Sequence, residues 1–320
     1  MQETKTTKEN RTSFSCDMGM EDKMSLEGFI YCIRHDVEQV LGRNVEVSLH
    51  QVTKNNGVKL DAITIRDVSC NIAPSIYLNE LYKRYCQGME LEAVLQEVLH
   101  TYEEHKSESN FNMNFFMDWE QVKDRIIYKL VNYEKNYEML KEIPYVKYLD
   151  LAIIFQVSVG STDEGCATIT IHDEHMSFWE KTTDDLYEMA MKNTPNLCKV
   201  QISSMADILR RMTGAPIPEC FELDENVVPM YIMSNEHTVN GACTILYPNV
   251  LKEFANAKGK DLFVIPSSTH EVILVPTDSV HDMEYMSEMV SEVNVTQVAE
   301  DEVLSDHCYY FSRETGEISF

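Results

Sequence analysis

Two histidines that lie three residues apart are the first side chains of this chain with the spacing of a metal site. They belong to the segment His172-Asp173-Glu174-His175, in which two carboxylates lie between the imidazoles. If a helix begins here, His172 and His175 share a face, and imidazole with carboxylate oxygen is a ligand set that divalent transition metals accept. Asp173 has a competing role, because a side-chain oxygen just after a strand caps the following helix. His172 and His175 are therefore candidate metal ligands, with helix capping as the alternative for this segment.

A second group of reactive side chains falls in the turn of a predicted hairpin, VIPSSTHEVILVP. It combines the residue types of a nucleophile, a base and an orienting carboxylate, and its candidate catalytic residues are Ser267, Ser268, His270 and Glu271. Neighbouring side chains of a strand point to opposite faces, however, and hydroxyl-rich turns are ordinary in hairpins. A turn-forming role is therefore the alternative for these residues.

A third pattern is a column of glutamates in a predicted helix near the end of the chain. Glu284, Glu288 and Glu292 recur every four residues, and Asp282 lies nearby. Like charges at this spacing repel by about 0.2–0.5 kcal/mol per pair. The rest of the helix carries apolar residues that are expected to face the core, namely Tyr285, Met286, Met289, Val290 and Val293. The four acidic residues are the candidate interaction site, either as a solvated helix face or as an anionic patch that imitates nucleic-acid phosphates.

The charge balance limits the kinds of partner. The 320 residues include 27 Lys and Arg against 53 Asp and Glu, a formal net charge of −26. From Asp261 to Ser312 there is no Lys or Arg, while 11 acidic residues occur. Such a field repels phosphate, so direct DNA or RNA binding is disfavoured and the expected partner is a protein. The glycine-rich loops and motifs of nucleotide-binding enzymes, zinc proteases and serine hydrolases are missing, so no cofactor is expected.

Cysteine usage and hydropathy indicate a reducing compartment without membrane association. The nine cysteines are odd in number and form no C-x-x-C pair, which favours free thiols over a disulfide framework. The most apolar stretch, Leu149 to Val159, contains Asp150 and Gln156 and reads as a buried strand rather than a membrane helix. No apolar segment follows the lysines of the N-terminus, so no secretory signal is recognised. We expect a cytoplasmic protein.

The apolar periodicity predicts an α+β fold, with mixed sheets packed by amphipathic helices. Phe29, Ile33, Val37 and Val40 have helical spacing behind a Ser25 cap, which predicts a first helix to residue 41. A long helical pattern over 119–141 follows the cap residue Asp118. The apolar runs DLFVIP (261–266) and EVILVP (271–276) flank the four-residue turn SSTH and predict a hairpin.

Two segments of the chain resemble each other and indicate a repeated strand-strand-helix unit. They are GCATI at 165–169 and GACTI at 241–245, each followed by a helix with a capping Asp or Asn. The predicted organisation is a disordered polar tail at 1–24, an N-terminal α+β region at 25–145, a first unit at 146–213 and a second unit at 227–320. The second unit carries a C-terminal helix and hairpin, and 146–320 forms either one domain or two.

Several longer segments together resemble a bacterial family of unknown function that is common in Gram-positive gut bacteria. They are VTKNNGVKLDAITIRD (52–67), SIYLNELYKRYCQG (75–88), VKDRIIYKLVNYEKN (122–136), LDLAIIF (149–155), VIPSSTHEVILVP (264–276) and EVLSDHCYYFSRETGEI (302–318). The last third is also similar, more loosely, to a second uncharacterised bacterial family. Neither resemblance implies an activity or a catalytic residue.

Two functions from different classes remain open on the sequence. The first is an acidic interaction or regulatory protein without catalytic activity, with a narrower version in which it masks a nucleic-acid-binding partner. The alternative is a hydrolase-like enzyme that uses His270 and Glu271, with or without a metal at His172 and His175. Convergence of these four residues in one pocket would favour the enzyme.

Overall fold

The computed structural model describes residues 23–106, 113–162, 165–213, 229–278 and 283–320. The predicted tail lies almost entirely outside these ranges, as do Asp282 and residues 214–226, which separate the two predicted units. Contacts between Cα atoms divide the chain into two units, Met1–Val52 with Leu60–Phe111 and Thr53–Lys59 with Asn112–Phe320. Each helix within the described ranges is too short or too polar to cross a bilayer.

The first unit combines three helices with a three-stranded sheet of order β1-β2-β3. Its elements are α1 (Leu26–Leu41), β1 (Val45–Thr53), β2 (Lys59–Asp67), β3 (Ser75–Tyr77), α2 (Leu78–Cys86) and α3 (Leu91–His105). The Ser25 hydroxyl accepts the Gly28 N–H at 3.2 Å, and Phe29, Ile33 and Val37 are fully buried. The capped, amphipathic first helix is therefore confirmed, whereas Val40, expected on its buried face, is 59 % exposed.

The second unit contains two further sheets. Its helices are α4 (Met113–Met117), α5 (Trp119–Val122), α6 (Asp173–Trp179), α7 (Thr183–Leu197), α8 (Met205–Thr213), α9 (Val250–Lys258) and α10 (Met283–Gln297). Its strands are β4 (Ile126–Asn132), β5 (Tyr145–Tyr148), β6 (Leu151–Thr162), β7 (Gly165–Thr170), β8 (Val200–Ser204), β9 (Tyr231–Asn235), β10 (Asp261–Ile265), β11 (Val272–Thr277), β12 (Tyr309–Phe311) and β13 (Ile318–Ser319).

The strand order places β6 in the middle of one sheet of the second unit and β10 and β11 in the middle of the other. The first sheet runs β4-β6-β5 with β7 also on β6, and the second runs β13-β12-β10-β11-β9-β8. The α+β class is confirmed. The strand pairs of this unit are antiparallel rather than mixed.

A single apolar core joins the two sheets of the second unit. Phe155 from β6, Leu130 from β4 and Leu274 from β11 are all at most 1 % exposed and belong to one contiguous cluster. Removing this apolar surface from water provides the main driving force for folding, and it fixes which residues of each strand face outward.

The helix predicted over 119–141 is wrong. Only Trp119–Val122 is α-helical. Ile126–Asn132 forms β4, and every residue of β4 pairs with β6. Every residue of β4 except Lys129 is buried, so both faces of the strand are covered. A strand covered on both faces shows a continuous apolar run that periodicity alone does not separate from a helix.

The two similar segments of the predicted repeat differ in secondary structure. Residues Gly165–Thr170 form β7, whereas Gly241–Leu246 form a 3-10 helix, so GACTI does not form the strand that the repeated strand-strand-helix unit predicts. The structure also places residues 112–145 with the rest of the second unit, because β4 and β5 pair with β6 on either side. The boundary expected at residue 145 falls inside that unit.

Candidate functional site

The hairpin turn between β10 and β11 is closed by its own hydroxyl and backbone groups. The His270 N–H donates to the Ser268 hydroxyl oxygen at 3.0 Å, and the Ser268 N–H donates to the Glu271 carbonyl at 3.2 Å. Burial raises the pKa of the Glu271 carboxyl above its ordinary value, and the neighbouring His270 opposes that rise. The serine oxygen therefore acts as a turn acceptor in this geometry.

The imidazole of His270 has partners other than the serines of its turn. Its Nδ1 accepts the Asn240 N–H at 3.2 Å, and its Nε2 lies 3.5 Å from a carboxylate oxygen of Glu302. A general base must reach the nucleophile's proton within about 2.6–3.2 Å. Among the described contacts of this ring, neither Ser267 nor Ser268 offers a hydroxyl to it. The ring connects the turn to neighbouring loops instead.

The carbonyl of His270 lies at a tightly packed junction. It accepts the Ser234 hydroxyl at 2.7 Å. A Cβ added to Gly241 would lie 2.5 Å from this carbonyl oxygen, 2.6 Å from the Asn235 nitrogen and 2.1 Å from the Ser234 hydroxyl oxygen. Gly241 is therefore required by the close approach of the 3-10 helix to the turn.

The two histidines of the predicted metal site form the start of α6. The residue before the helix is His172 rather than Asp173, and its N–H donates to Nδ1 of His175 at 2.9 Å. The ring of His175 also lies edge-on to Phe116, with centroids 4.7 Å apart. Burial, followed by the nearby His172, lowers the pKa of His175. The Nδ1 lone pair of His175 thus serves the helix start, as the carboxylate of a capping box does.

The two histidine-bearing sites do not converge. His172 and His175 line an open cavity of about 590 Å³ together with Glu142, Asp173 and Glu174, and the lining includes none of the candidate residues of the 267–271 turn. In the part of the chain that the structure describes, no three His, Cys, Asp or Glu side chains are placed to hold a metal ion.

Helix α10 presents the glutamate column to solvent. Glu284, Glu288 and Glu292 are exposed, and successive members are about 6 Å apart along the helix axis. The buried side of the helix is formed by Val290 and Asn294. The column is therefore a continuous anionic strip on the outer face.

An apolar column lies beside this acidic strip. Tyr285 is 65 % exposed, Met289 41 % and Val293 44 %, although the sequence pattern predicted that they face the core. That prediction is wrong for these three residues, because the core contacts only the narrower arc that includes Met286 and Val290. We call the six residues 284, 285, 288, 289, 292 and 293 the α10 surface.

The glutamates of the α10 surface have no cationic partner among the described residues. Nearby ion pairs join Asp278 to Lys260 and Asp306 to Lys135. The 261–312 segment itself has no Lys or Arg, so it supplies no cation of its own to the strip. The α10 surface thus combines exposed apolar side chains with acidic side chains that pair with no described cation.

The chain matches a protein-family model over most of its length. A model described as a family of unknown function, DUF5688, matches residues 26–313. The chain belongs to this family. No curated protein and no solved structure matches the chain. The resemblance noted in the sequence is therefore confirmed at the level of family, and the family brings no activity with it.

Sequence reasoning missed two features of the second unit. The exposure of Tyr285, Met289 and Val293 has a signal in the sequence, because the apolar arc of this helix is wider than the arc that packing against one sheet buries. Lys129 is a single charge within the otherwise apolar run 126–131, and such a residue on a buried strand indicates a polar cavity.

Proposed function

We propose that this chain is an acidic cytoplasmic protein that acts by binding rather than by catalysis, and that its α10 surface binds a basic amphipathic helix of a partner protein. The observation that carries the proposal is the exposed column Tyr285, Met289 and Val293 beside the unpaired column of glutamates. Exposed apolar residues in a contiguous column favour a protein interface.

The apolar and acidic columns lie side by side on the α10 surface, and this arrangement indicates which chemistry a partner needs. Apolar side chains every four residues on one helix face pack against a similar stripe on a second helix, at an interaxial distance of about 8–10 Å. Flanking charges at such a contact then select a partner by sign, as they do in coiled coils. The α10 surface therefore fits a helix whose apolar stripe is bordered by Lys or Arg.

The apolar column and the glutamate column are expected to contribute different amounts to the free energy of binding. Completing the burial of a partly exposed large apolar side chain contributes about 1 kcal/mol each, since full burial is worth about 1.5–3 kcal/mol. Rim charge pairs contribute little to the dissociation rate, but they raise the association rate and make binding sensitive to salt. A narrower proposal is that the partner's basic helix also binds nucleic acid, in which case DNA competes with the chain for it.

The test is the affinity of the full chain for a short synthetic helix with a leucine stripe bordered by lysines, measured by fluorescence anisotropy at low and high salt. One variant combines Tyr285→Ser, Met289→Gln and Val293→Thr, and a second combines Glu284→Gln, Glu288→Gln and Glu292→Gln. Three equally exposed acids outside the α10 surface provide a control of identical net charge, with Glu188, Glu253 and Glu314 changed to Gln.

The proposal predicts that the apolar variant weakens binding about tenfold or more at both salt concentrations, because roughly 1.4 kcal/mol corresponds to a factor of ten. The α10 charge variant should weaken binding mainly at low salt, and the control variant should bind like the wild type. An apolar variant that binds as tightly as the wild type would overturn the proposal, since only general attraction to an acidic protein would then remain.

A further inference from the structure

Helix α8 is a nine-residue amphipathic helix whose apolar side is incompletely covered by its own chain. Among its described side chains none is buried: Met205 and Ile208 are half-buried, and Leu209 is 46 % exposed. Helix α9 has the same length, and it buries Leu251 and Ala255. An amphipathic helix that leaves its apolar side partly in water has surface available for a partner.

Two arginines border the apolar side of α8. At about 3.6 residues per turn, the three apolar residues fall within an arc of roughly 100°, and Arg210 and Arg211 lie on opposite sides of that arc. The acid of this helix, Asp207, faces away from the arc, where its carboxylate accepts the Ser204 hydroxyl at 2.6 Å and pairs with Arg210 at 2.7 Å. Arg211 is exposed, and no described residue forms an ion pair with it. Helix α8 therefore presents an apolar stripe bordered by cations.

The α10 surface has the complementary composition, with an apolar column beside a column of glutamates. Within one chain the two helices lie on different parts of the six-stranded sheet. Helix α8 follows β8 at one edge of that sheet, whereas α10 packs on Phe263 of β10 and Val275 of β11. Because the α10 surface stays exposed in the structure, α8 of the same chain does not cover it. A second copy of the chain can supply the missing helix.

We propose that α8 of one copy of this chain docks on the α10 surface of a second copy. This inference rests on the proposed function, because it uses the same surface and names the occupant. The apolar stripe of α8 packs on Tyr285, Met289 and Val293, and an arginine at its border lies against the glutamates. Each copy carries both surfaces, so the contact forms either a closed dimer or a chain of copies.

The net charge of −26 opposes association of two copies when salt is low. At physiological ionic strength the Debye length is about 8 Å, so the charges inside the contact decide the outcome. Which of Arg210 and Arg211 faces the glutamates depends on the direction in which α8 crosses α10. Both arginines are therefore changed together in the test.

The experiment is sedimentation velocity of the full chain at physiological ionic strength over a series of concentrations. One variant combines Arg210→Glu with Arg211→Glu, and the other combines Glu288→Lys with Glu292→Lys. Each variant alone should self-associate about tenfold or more weakly than the wild type, because like charges then meet in every contact.

An equimolar mixture of the two variants should regain association. In the mixture, the substituted α8 meets the substituted α10 surface, and the wild-type α8 meets the wild-type α10 surface, so both contacts join opposite charges. Recovery also shows that both variants are folded. The control combines Lys192→Glu with Lys252→Glu, two exposed positions outside both helices, and it should associate like the wild type although its net charge equals that of the arginine variant.

Three results would overturn the proposal. They are a wild-type chain that is monomeric at every concentration, single variants that associate like the wild type, and a mixture that associates no better than its components. The synthetic leucine–lysine helix separates these failures from failure of the proposed function. If that helix binds the α10 surface of a monomeric wild-type chain, the surface is a docking site and its occupant is a different protein. If it does not bind, both proposals fail.

Discussion

Substitution of Gly241 by alanine tests whether the 267–271 turn is a packed structural junction. The new Cβ would lie 2.5 Å from the His270 carbonyl oxygen and 2.6 Å from the Asn235 nitrogen, and both of these are backbone atoms. Relief requires the 3-10 helix and the turn to separate. Overpacking of this kind costs roughly 1–3 kcal/mol.

The separation would also stretch two hydrogen bonds. The Ser234 hydroxyl donates to the His270 carbonyl at 2.7 Å, and the Ala242 N–H donates to the Thr269 carbonyl at 3.2 Å. Each contributes about 1 kcal/mol. Gly241→Ala should therefore lower the free energy of unfolding by about 4 kcal/mol in total.

The assay is urea unfolding followed by tryptophan fluorescence. Both tryptophans, Trp119 and Trp179, lie in the second unit, so the fluorescence reports on the unit that contains the junction. Gly160→Ala is the matched control, because nothing lies within 4 Å of a Cβ at that position of β6. It should leave stability unchanged or raise it by about 0.4–1 kcal/mol. A loss below about 1 kcal/mol for Gly241→Ala would refute the packed junction, since one hydrogen bond alone would account for it.

Three further predictions concern a carboxylate, a histidine and two cysteines. Asp150→Asn should lower the free energy of unfolding by about 2–3 kcal/mol in the same assay, because the carboxylate accepts the Tyr309 hydroxyl and a serine hydroxyl, both at 2.6 Å. The folded pKa of His175 lies below its ordinary 6.5, so the unfolded chain binds that proton more tightly. The free energy of unfolding should therefore be highest above about pH 6.5 and should decrease as the pH falls below that value. His175→Gln should remove this contribution to the pH dependence of the urea midpoint. Iodoacetamide should modify the exposed Cys86 in the folded chain and reach Cys243, whose pKa burial raises to about 12, only after unfolding, as read by peptide mass.

Local patterns predicted those elements whose formation depends on neighbouring residues. The first helix followed from the spacing of Phe29, Ile33 and Val37 behind a serine cap, and the β10–β11 hairpin followed from two apolar runs around a polar turn. In both cases the periodicity of the apolar residues and the residue types at the ends of the element predict the same secondary structure, so one conformation is favoured.

The misassigned elements depend on contacts that are distant in sequence. Strand β4 pairs with β6 and is covered on both faces, so its apolar residues show no alternation. Gly241 packs closely against the His270 carbonyl, which is 29 residues further along the chain, and no local pattern contains that approach. The arc of α10 that faces the core is likewise set by the sheet beneath it, which is why Tyr285 and Met289 are exposed although they are apolar.

Photo-crosslinking from the α10 surface is the most direct test of the proposed function. A photoreactive amino acid at Met289 of the full chain should capture a partner in cells, and the attached peptide should carry an apolar helical stripe bordered by Lys or Arg. The same group at Leu197, which is 42 % exposed, provides the comparison. Capture at Met289 should be largely lost when the flanking apolar residues are removed by Tyr285→Ser and Val293→Thr. Equal capture from both positions, or an attached peptide without basic residues, would contradict the account.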